Sequence, residues 1–442
     1  MNRLFLLLLY LMVLAQLKSV SCQNNTQVYS INLELKNAPT GEKVFLQKYI
    51  GIKQVVIDSL QVGSNTELFF YGDKPLVPGM YALSYNRKLL ANFFISNPDN
   101  QNFRISLDLK NPSQTLTFIG SSENQTFIDY LRFLNSQQQK GELEKASFEE
   151  KGLVLQTQFP GSMLALFICS LREPKIPVSS KPLADKRVYE YYYLTNHFFD
   201  NIDFEDKRLL NTPILEQKIG IYFRQMVPPV VDSIKVRVNQ VIGEAKANKE
   251  VYTWAVRYLY QLYRESPIPG NTEVYNFIGE QFIINDIQRW NDTAFVEKVR
   301  ERVAKAKLNP IGSLATNLKL QTPEGKLMDL NSVVASETIL LFFNPGCEAC
   351  HAVTEKLVKI YQQYKSKGIQ VFAVYIDHKK DEWQSYISAK GLDWINVYDP
   401  AGSEGIEQKY DIYAIPMLYL LDKDKKVIVK DIPVEKLEEY LQ

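Results

Sequence analysis

The chain has 442 residues, which at roughly 150 residues per domain makes a single small module improbable and suggests about three domains. With 51 Lys and Arg against 50 Asp and Glu, the net charge of +1 lacks the electrostatic signature of a dedicated nucleic-acid binder. Hydrophobic residues at 45% and charged residues at 23% are enough to build ordinary cores, which excludes wholesale disorder.

The first predicted element is a targeting segment. Met1-Asn2-Arg3 leads into a nearly unbroken apolar run of 14 residues, Leu4 to Leu17, and then Lys18 and the small residues Ser19-Val20-Ser21-Cys22. Such a run is too short to cross about 30 Å of hydrocarbon, and no later stretch reaches the roughly 18 apolar residues a spanning helix needs. Residues 1–22 therefore read as a signal peptide, placing the protein in the periplasm or cell envelope. Cleavage after Ser21 would leave Cys22 as a lipid-tethered first residue, the one membrane contact expected; cleavage after Cys22 would discard it.

From 23 to 118 the pattern has period two. Ile31, Leu33 and Leu35 alternate, as do Val44, Leu46 and Ile50, then Phe103, Ile105, Leu107 and Leu109, with Leu116 and Phe118 closing. Turn signals at Pro39-Thr40-Gly41, Val62-Gly63-Ser64-Asn65, Pro78-Gly79 and Asn97-Pro98-Asp99-Asn100 separate the runs at hairpin spacing, which predicts an antiparallel β-sandwich. From 119 to 306 the period becomes 3.6. Ser122 and Gln125 stand at capping-box spacing, Thr212-Pro213 opens a stripe through Leu215, Ile219, Tyr222 and Met226, and Ala255, Tyr258, Leu259 and Leu262 form another, so an all-α domain is expected. His197 has no second His or Cys beside it and reads as structural; Glu142/Glu144 and Glu149/Glu150 read as solvated charge. Cys169, after the run Met163 to Ile168, reads as a small buried hydrophobe.

Leu308-Asn309-Pro310-Ile311-Gly312-Ser313 breaks the helical pattern, and 307–442 alternates strand with helix. Thr338 to Phe343 is apolar throughout, as a strand buried on both faces would be, and Asn344-Pro345-Gly346 turns the chain. Val353, Leu357, Ile360, Tyr361 and Tyr364 share a helical stripe, which puts Cys347 at the helix start and Cys350 one turn in. A second buried strand, Ile369 to Ile376, and the Ile415-Pro416 step before Met417 to Leu421 follow. With only four cysteines in a long exported chain, a close pair is chemistry more readily than scaffold. The positive end of a helix favours a thiolate, so Cys347 is placed to attack and Cys350 to resolve the mixed disulfide. Three other readings of the pair stay open: c-type haem attachment through Cys347-x-x-Cys350-His351, structural zinc, for which Cys169 and His378 lack paired spacing, and an inert disulfide, whose short loop would stabilise little.

The strand TILLFF, the turn NPG, Cys347-Glu348-Ala349-Cys350, the strand IQVFAVYID and Ala414-Ile415-Pro416 before MLYLLDKDKK resemble exported thioredoxin-fold thiol:disulfide oxidoreductases of the TlpA-like branch over about 307–442. The text around Tyr191-Tyr192-Tyr193 and His197 to Phe204 resembles a helical region of unassigned function found ahead of thioredoxin domains in Gram-negative envelope proteins. The resemblance implies that Pro416 is a cis-proline whose preceding backbone pairs with substrate, that Cys347 and Cys350 exchange disulfides with protein thiols, that no metal or cofactor is used, and that a membrane or periplasmic partner donates electrons. Gly346, Glu355, Val353 and Leu341 depart from the family pattern, the last two replacing acidic residues that relatives use as proton acceptors. Glu348 beside Cys347, with no Lys or Arg from Asn344 to Val353, argues for a reductant or isomerase near about −270 mV rather than a strong oxidant. The alternative function is an envelope scaffold or substrate-binding protein in which this domain only docks.

Overall fold

The structure is a computed structural model that describes residues 28–97, 101–140, 145–178, 182–266, 268 and 270–441. The signal-peptide reading of 1–22 with Cys22, the turn residues 98–100 and the pair Glu142/Glu144 lie outside the described residues. By packing, the chain divides into two units, one of residues up to 228 together with 239–255, the other of 229–238 and 256–442.

Among the described residues of the first unit, eight strands form two four-stranded sheets: β1 (Tyr29–Lys36), β2 (Lys43–Ile50), β3 (Lys53–Gln61), β4 (Glu67–Gly72), β5 (Gly79–Tyr85), β6 (Lys88–Ile95), β7 (Asn102–Asp108) and β8 (Thr117–Ile119). Their orders are β4-β1-β7-β8 and β3-β2-β5-β6. One core lies between them, with Ile31, Leu33, Leu35, Phe103 and Ile105 from one sheet meeting Val44, Leu46, Leu83 and Phe93 from the other. The antiparallel expectation has one exception, because β1 and β7, separated by a connection of 65 residues, pair in parallel. The expected inward Ile50 is also corrected. The β2–β3 register shifts between Leu46 and Gln47, so Tyr49 turns in at 8% exposure while Ile50 is 45% exposed.

Helices follow from Ser122: α1 (Ser122–Lys140), α2 (Lys145–Gln158), α3 (Met163–Leu171), α4 (Leu183–His197) and α5 (Ile214–Ile221). The Gln125 side chain accepts the Phe118 N–H instead of capping Ser122. Cys169 is half-buried, not buried, since the inward stripe of α3 runs through Leu164 and Ile168 and residue 169 lies about 100° away from 168. His197 pairs with Asp200 at 2.8 Å and stacks on Tyr193, both structural roles. Next come α6 (Val231–Ala245) and α7 (Lys249–Arg264), which each contribute to both units, then α8 (Asn271–Ile278) and α9 (Thr293–Ala306) in the second.

The second unit also holds β9 (Lys319–Gln321), β10 (Leu327–Asp329), β11 (Glu337–Phe343), α10 (Glu348–Tyr364), β12 (Ile369–Tyr375), α11 (Lys380–Lys390), β13 (Ile395–Tyr398), β14 (Met417–Leu421) and β15 (Val427–Lys430). They make one mixed sheet ordered β10-β9-β13-β12-β11-β14-β15. The central β11 is buried at all seven positions because both of its faces are covered. Ile339, Leu341 and Phe343 join the core beneath α10 and α11, whereas Leu340 and Phe342 enter a second core with Leu318, Tyr410, Met417 and Tyr419. The β11–β12–β13 crossovers are parallel, while β14 runs antiparallel beside β11. That single reversal brings the start of β14 level with the end of β11, where α10 begins.

Candidate redox site

At this junction Phe342 pairs with Met417, so the turn after β11 and the residues before β14 are neighbours. The turn is held by its own polar atoms. Asn344 Oδ1 accepts the Gly346 N–H at 2.8 Å, the Asn344 carbonyl accepts the Cys347 N–H at 3.0 Å, and Asn344 Nδ2 donates to Asp377 at 3.3 Å. His351 Nε2 lies 2.6 Å from the Pro345 carbonyl. A carbonyl only accepts, so this nitrogen carries the proton, and the imidazole ties the first turn of α10 back onto the loop. Asp377 is held below the ordinary carboxyl range, first by the His378 N–H and then by the Asn344 amide.

Cys347 is the N-cap of α10, and its sulfur accepts the Cys350 N–H at 3.4 Å. The same thiol reaches the Ile415 carbonyl at 3.7 Å, and Ile415–Pro416 is a cis peptide. Cys347, Cys350 and Pro416, 69 positions apart at the extremes, therefore share one corner of the sheet. Cys347 is half-buried and Cys350 is buried at 1% exposure; both are free thiols. Burial is the main cause that pushes the Cys350 thiol up to about 12, with neighbouring Cys347 adding to it and the Asn344 backbone opposing it.

Sequence reasoning missed the environment of Cys350. Thr354 falls on the same inward stripe, Cys350-Thr354-Leu357-Tyr361, and is 1% exposed. From α11, Tyr386 enters the core that contains Cys350, with the His351 ring edge-on at 5.0 Å. Outside it, Glu355 pairs with Lys390 at 2.8 Å. The polar residue in an apolar helical stripe was the available signal for Thr354; nothing local marks Tyr386. Among the described residues no group of three or more His, Cys, Asp or Glu side chains stands close enough to hold a metal ion.

A strand, a turn, a helix opening on a cysteine pair and a cis-proline at the facing strand make this a thioredoxin-fold domain of the thiol-disulfide oxidoreductase class. Residues 310–441 match the family described as Redoxin, whereas 132–309 and 29–127 match two domains of unknown function, DUF5106 and DUF4369. The thiol-disulfide oxidoreductase ResA of Bacillus thuringiensis is 28% identical over 135 residues, covering 30% of this chain and 77% of its own. ResA of Bacillus subtilis is 25% identical over 117 residues, 26% of this chain and 64% of its own. A thioredoxin-like protein from Bacteroides caccae, known from its crystal structure, is 27% identical and covers 61% of this chain and 96% of its own, with a TM-score of 0.51.

Proposed function

We propose that the protein exchanges disulfides with protein thiols in the cell envelope, with Cys347 as the attacking thiol and Cys350 as the resolving one. The observation that carries this reading is the position of Cys347 at the mouth of α10, within 3.7 Å of the carbonyl before Pro416. A negative sulfur at that point accepts an N–H of the first turn and faces the positive end of the helix. An extended client segment lying along Ile415 would present its own sulfur to Cys347. Beside it, a cavity of about 220 Å³ lined by Ile376, Ile406, Ile412, Ala414 and Ile415 offers room for an apolar client side chain. Pro416 contributes by lacking an N–H, which leaves the Ile415 backbone free of competition from its own neighbour.

The cycle needs no metal or cofactor. Attack by Cys347 forms a mixed disulfide, Cys350 closes the ring, and an envelope electron donor reopens it. Exposed Glu348 opposes an extreme thiolate stabilisation, which supports work as a reductant or isomerase. Export rests on Met1 to Cys22 as a signal segment, with Cys22 as the candidate lipid anchor.

The test is trapping. In a Cys350→Ala variant the mixed disulfide on Cys347 should persist, and mass spectrometry should identify a client cysteine joined to Cys347. If no client is captured and Cys347 alkylates sluggishly, the exchange reading fails and a docking role for the domain replaces it.

A further inference from the structure

Cys350 has to lose its proton to resolve a mixed disulfide, yet it is buried among Phe343, Leu357 and other apolar groups. The groups that act on its thiol are the Asn344 backbone and Cys347, and the sulfur of Cys347 is already bonded to the client when the step begins. Two hydroxyls lie in the same place. Thr354 stands four residues on from Cys350, the spacing that stacks side chains on one face of a helix. Tyr386 comes from α11 into the same core. The Thr354 and Tyr386 hydroxyls are both buried and face one another, and among the described residues neither oxygen has a well-formed hydrogen bond to any other group.

This is unusual for the helix as well as for the core. A threonine or serine hydroxyl inside a helix normally bonds the carbonyl one turn back, as Thr253 does to Lys249 and Ser388 to Gln384. Thr354 has that carbonyl available at Cys350 and does not use it. Two buried hydroxyls with only each other for company among the described residues leave bonding capacity unused at a cost in stability, so their presence calls for a partner that forms at some other stage.

We propose that Tyr386 and Thr354 are positioning residues for the resolving step, with the Tyr386 hydroxyl donating to the Cys350 thiolate as it forms and Thr354 orienting that hydroxyl. The inference rests on Cys350 being the resolving thiol. In the step, Cys350 gives up its proton to solvent, from which the departing client sulfur later takes one, and its sulfur pair forms the S–S bond to Cys347. The bond from Cys347 to the client sulfur breaks, its electron pair departs on the client, and the client thiolate takes up a proton. The protein dithiol is oxidised and the client is reduced, with no further reagent.

The charges around the tyrosine suit a donor. Burial raises the Tyr386 pKa, Thr354 and Lys390 oppose the rise, and Cys350 and Glu355 add to it, so the hydroxyl stays protonated and able to donate at neutral pH. Glu355 and Lys390 neutralise each other at the surface, and His351 contributes its ring edge from α10.

The experiment uses the reduced full-length protein with Cys22→Ser and Cys169→Ser, mixed with 5,5′-dithiobis(2-nitrobenzoate) in a stopped-flow instrument. Release of the first thionitrobenzoate reports attack by Cys347; release of the second reports closure by Cys350. Tyr386→Phe and Thr354→Val should leave the first release within about twofold and slow the second about tenfold, the size of one hydrogen bond to a charged group. The pH profile of the second release should move about one unit alkaline, and Thr354→Ser should restore it. An unchanged second release, or slowing without the pH displacement, overturns the proposal. Should Tyr386→Phe fail to fold, Thr354→Val against Thr354→Ser decides by the same two readouts. Loss of the first release in the parent protein would instead overturn the exchange reading above.

Discussion

Cys347 and Cys350 differ through where one helical turn puts them: the first caps α10 and the second faces inward. With iodoacetamide near neutral pH, the reduced protein should therefore label at Cys347 well before Cys350, by mass spectrometry of the digested protein. The opposite order would reverse the assigned roles. Cys350 also couples stability to pH. Its folded thiol is raised from 9.0 to about 12, so its contribution is complete below 9 and is lost as pH climbs toward 12. Melting temperatures of the reduced protein should fall across that interval more steeply than those of the oxidised protein, in which Cys350 has no proton to lose. A third residue, His351, holds Pro345 and packs on Tyr386. His351→Ala should cost about 1–3 kcal/mol by chemical denaturation, the penalty of leaving the Pro345 carbonyl unpaired and a ring contact empty.

Between elements, the most demanding contact is the ion pair of Arg302 on α9 with Asp411, which sits in the segment leading to Pro416. Their side chains are 15% and 5% exposed, the guanidinium meets both carboxylate oxygens, and it also donates to the Tyr275 hydroxyl at 3.0 Å. Asp431 accepts at 2.6 Å from Thr272 on α8 and from Tyr413. Lys430 at the end of β15 donates to the Ala306 and Leu308 carbonyls, each at 2.8 Å. Removing one charge of a buried pair strands the other, so Asp411→Asn should destabilise this unit by about 3–5 kcal/mol in denaturant titrations. The double replacement Arg302→Met with Asp411→Leu should cost less than Asp411→Asn alone, because no charge is then left in the interior. If the single variant costs under about 1 kcal/mol, the pair is not desolvated as its burial implies.

The same contacts make a prediction for the molecule as a whole. The Redoxin match begins at residue 310, but α8 and α9 belong to the packing unit that holds the cysteine pair. A fragment beginning at 310 should retain the thiol chemistry yet melt below one beginning at residue 249, since only the longer piece keeps the partners of Asp411, Asp431 and Lys430. Equal melting temperatures would show that these helices contribute nothing to the sheet.

Much of the fold was legible because its signals are local. Seven buried residues in a row, a turn of Asn344-Pro345-Gly346, a helical stripe opening on Cys347 and an isoleucine-proline step each declare themselves within a few residues, since periodicity and turn chemistry depend on near neighbours. The sandwich, the helical stretch and the mixed sheet were readable on the same grounds. What could not be read depends on segments distant in sequence. Arg302 and Asp411 are 109 residues apart, and β1 finds β7 in parallel across most of its domain. The helical residues divide between two packing units, and a register shift turns Tyr49 inward in place of Ile50. Above all, Tyr386 meets Thr354 beside Cys350 only because α10 and α11 pack on one face of the sheet. The spacing of Cys347 and Cys350 at the start of a helix is a local property; the surroundings of Cys350 are set by packing, which no local pattern encodes.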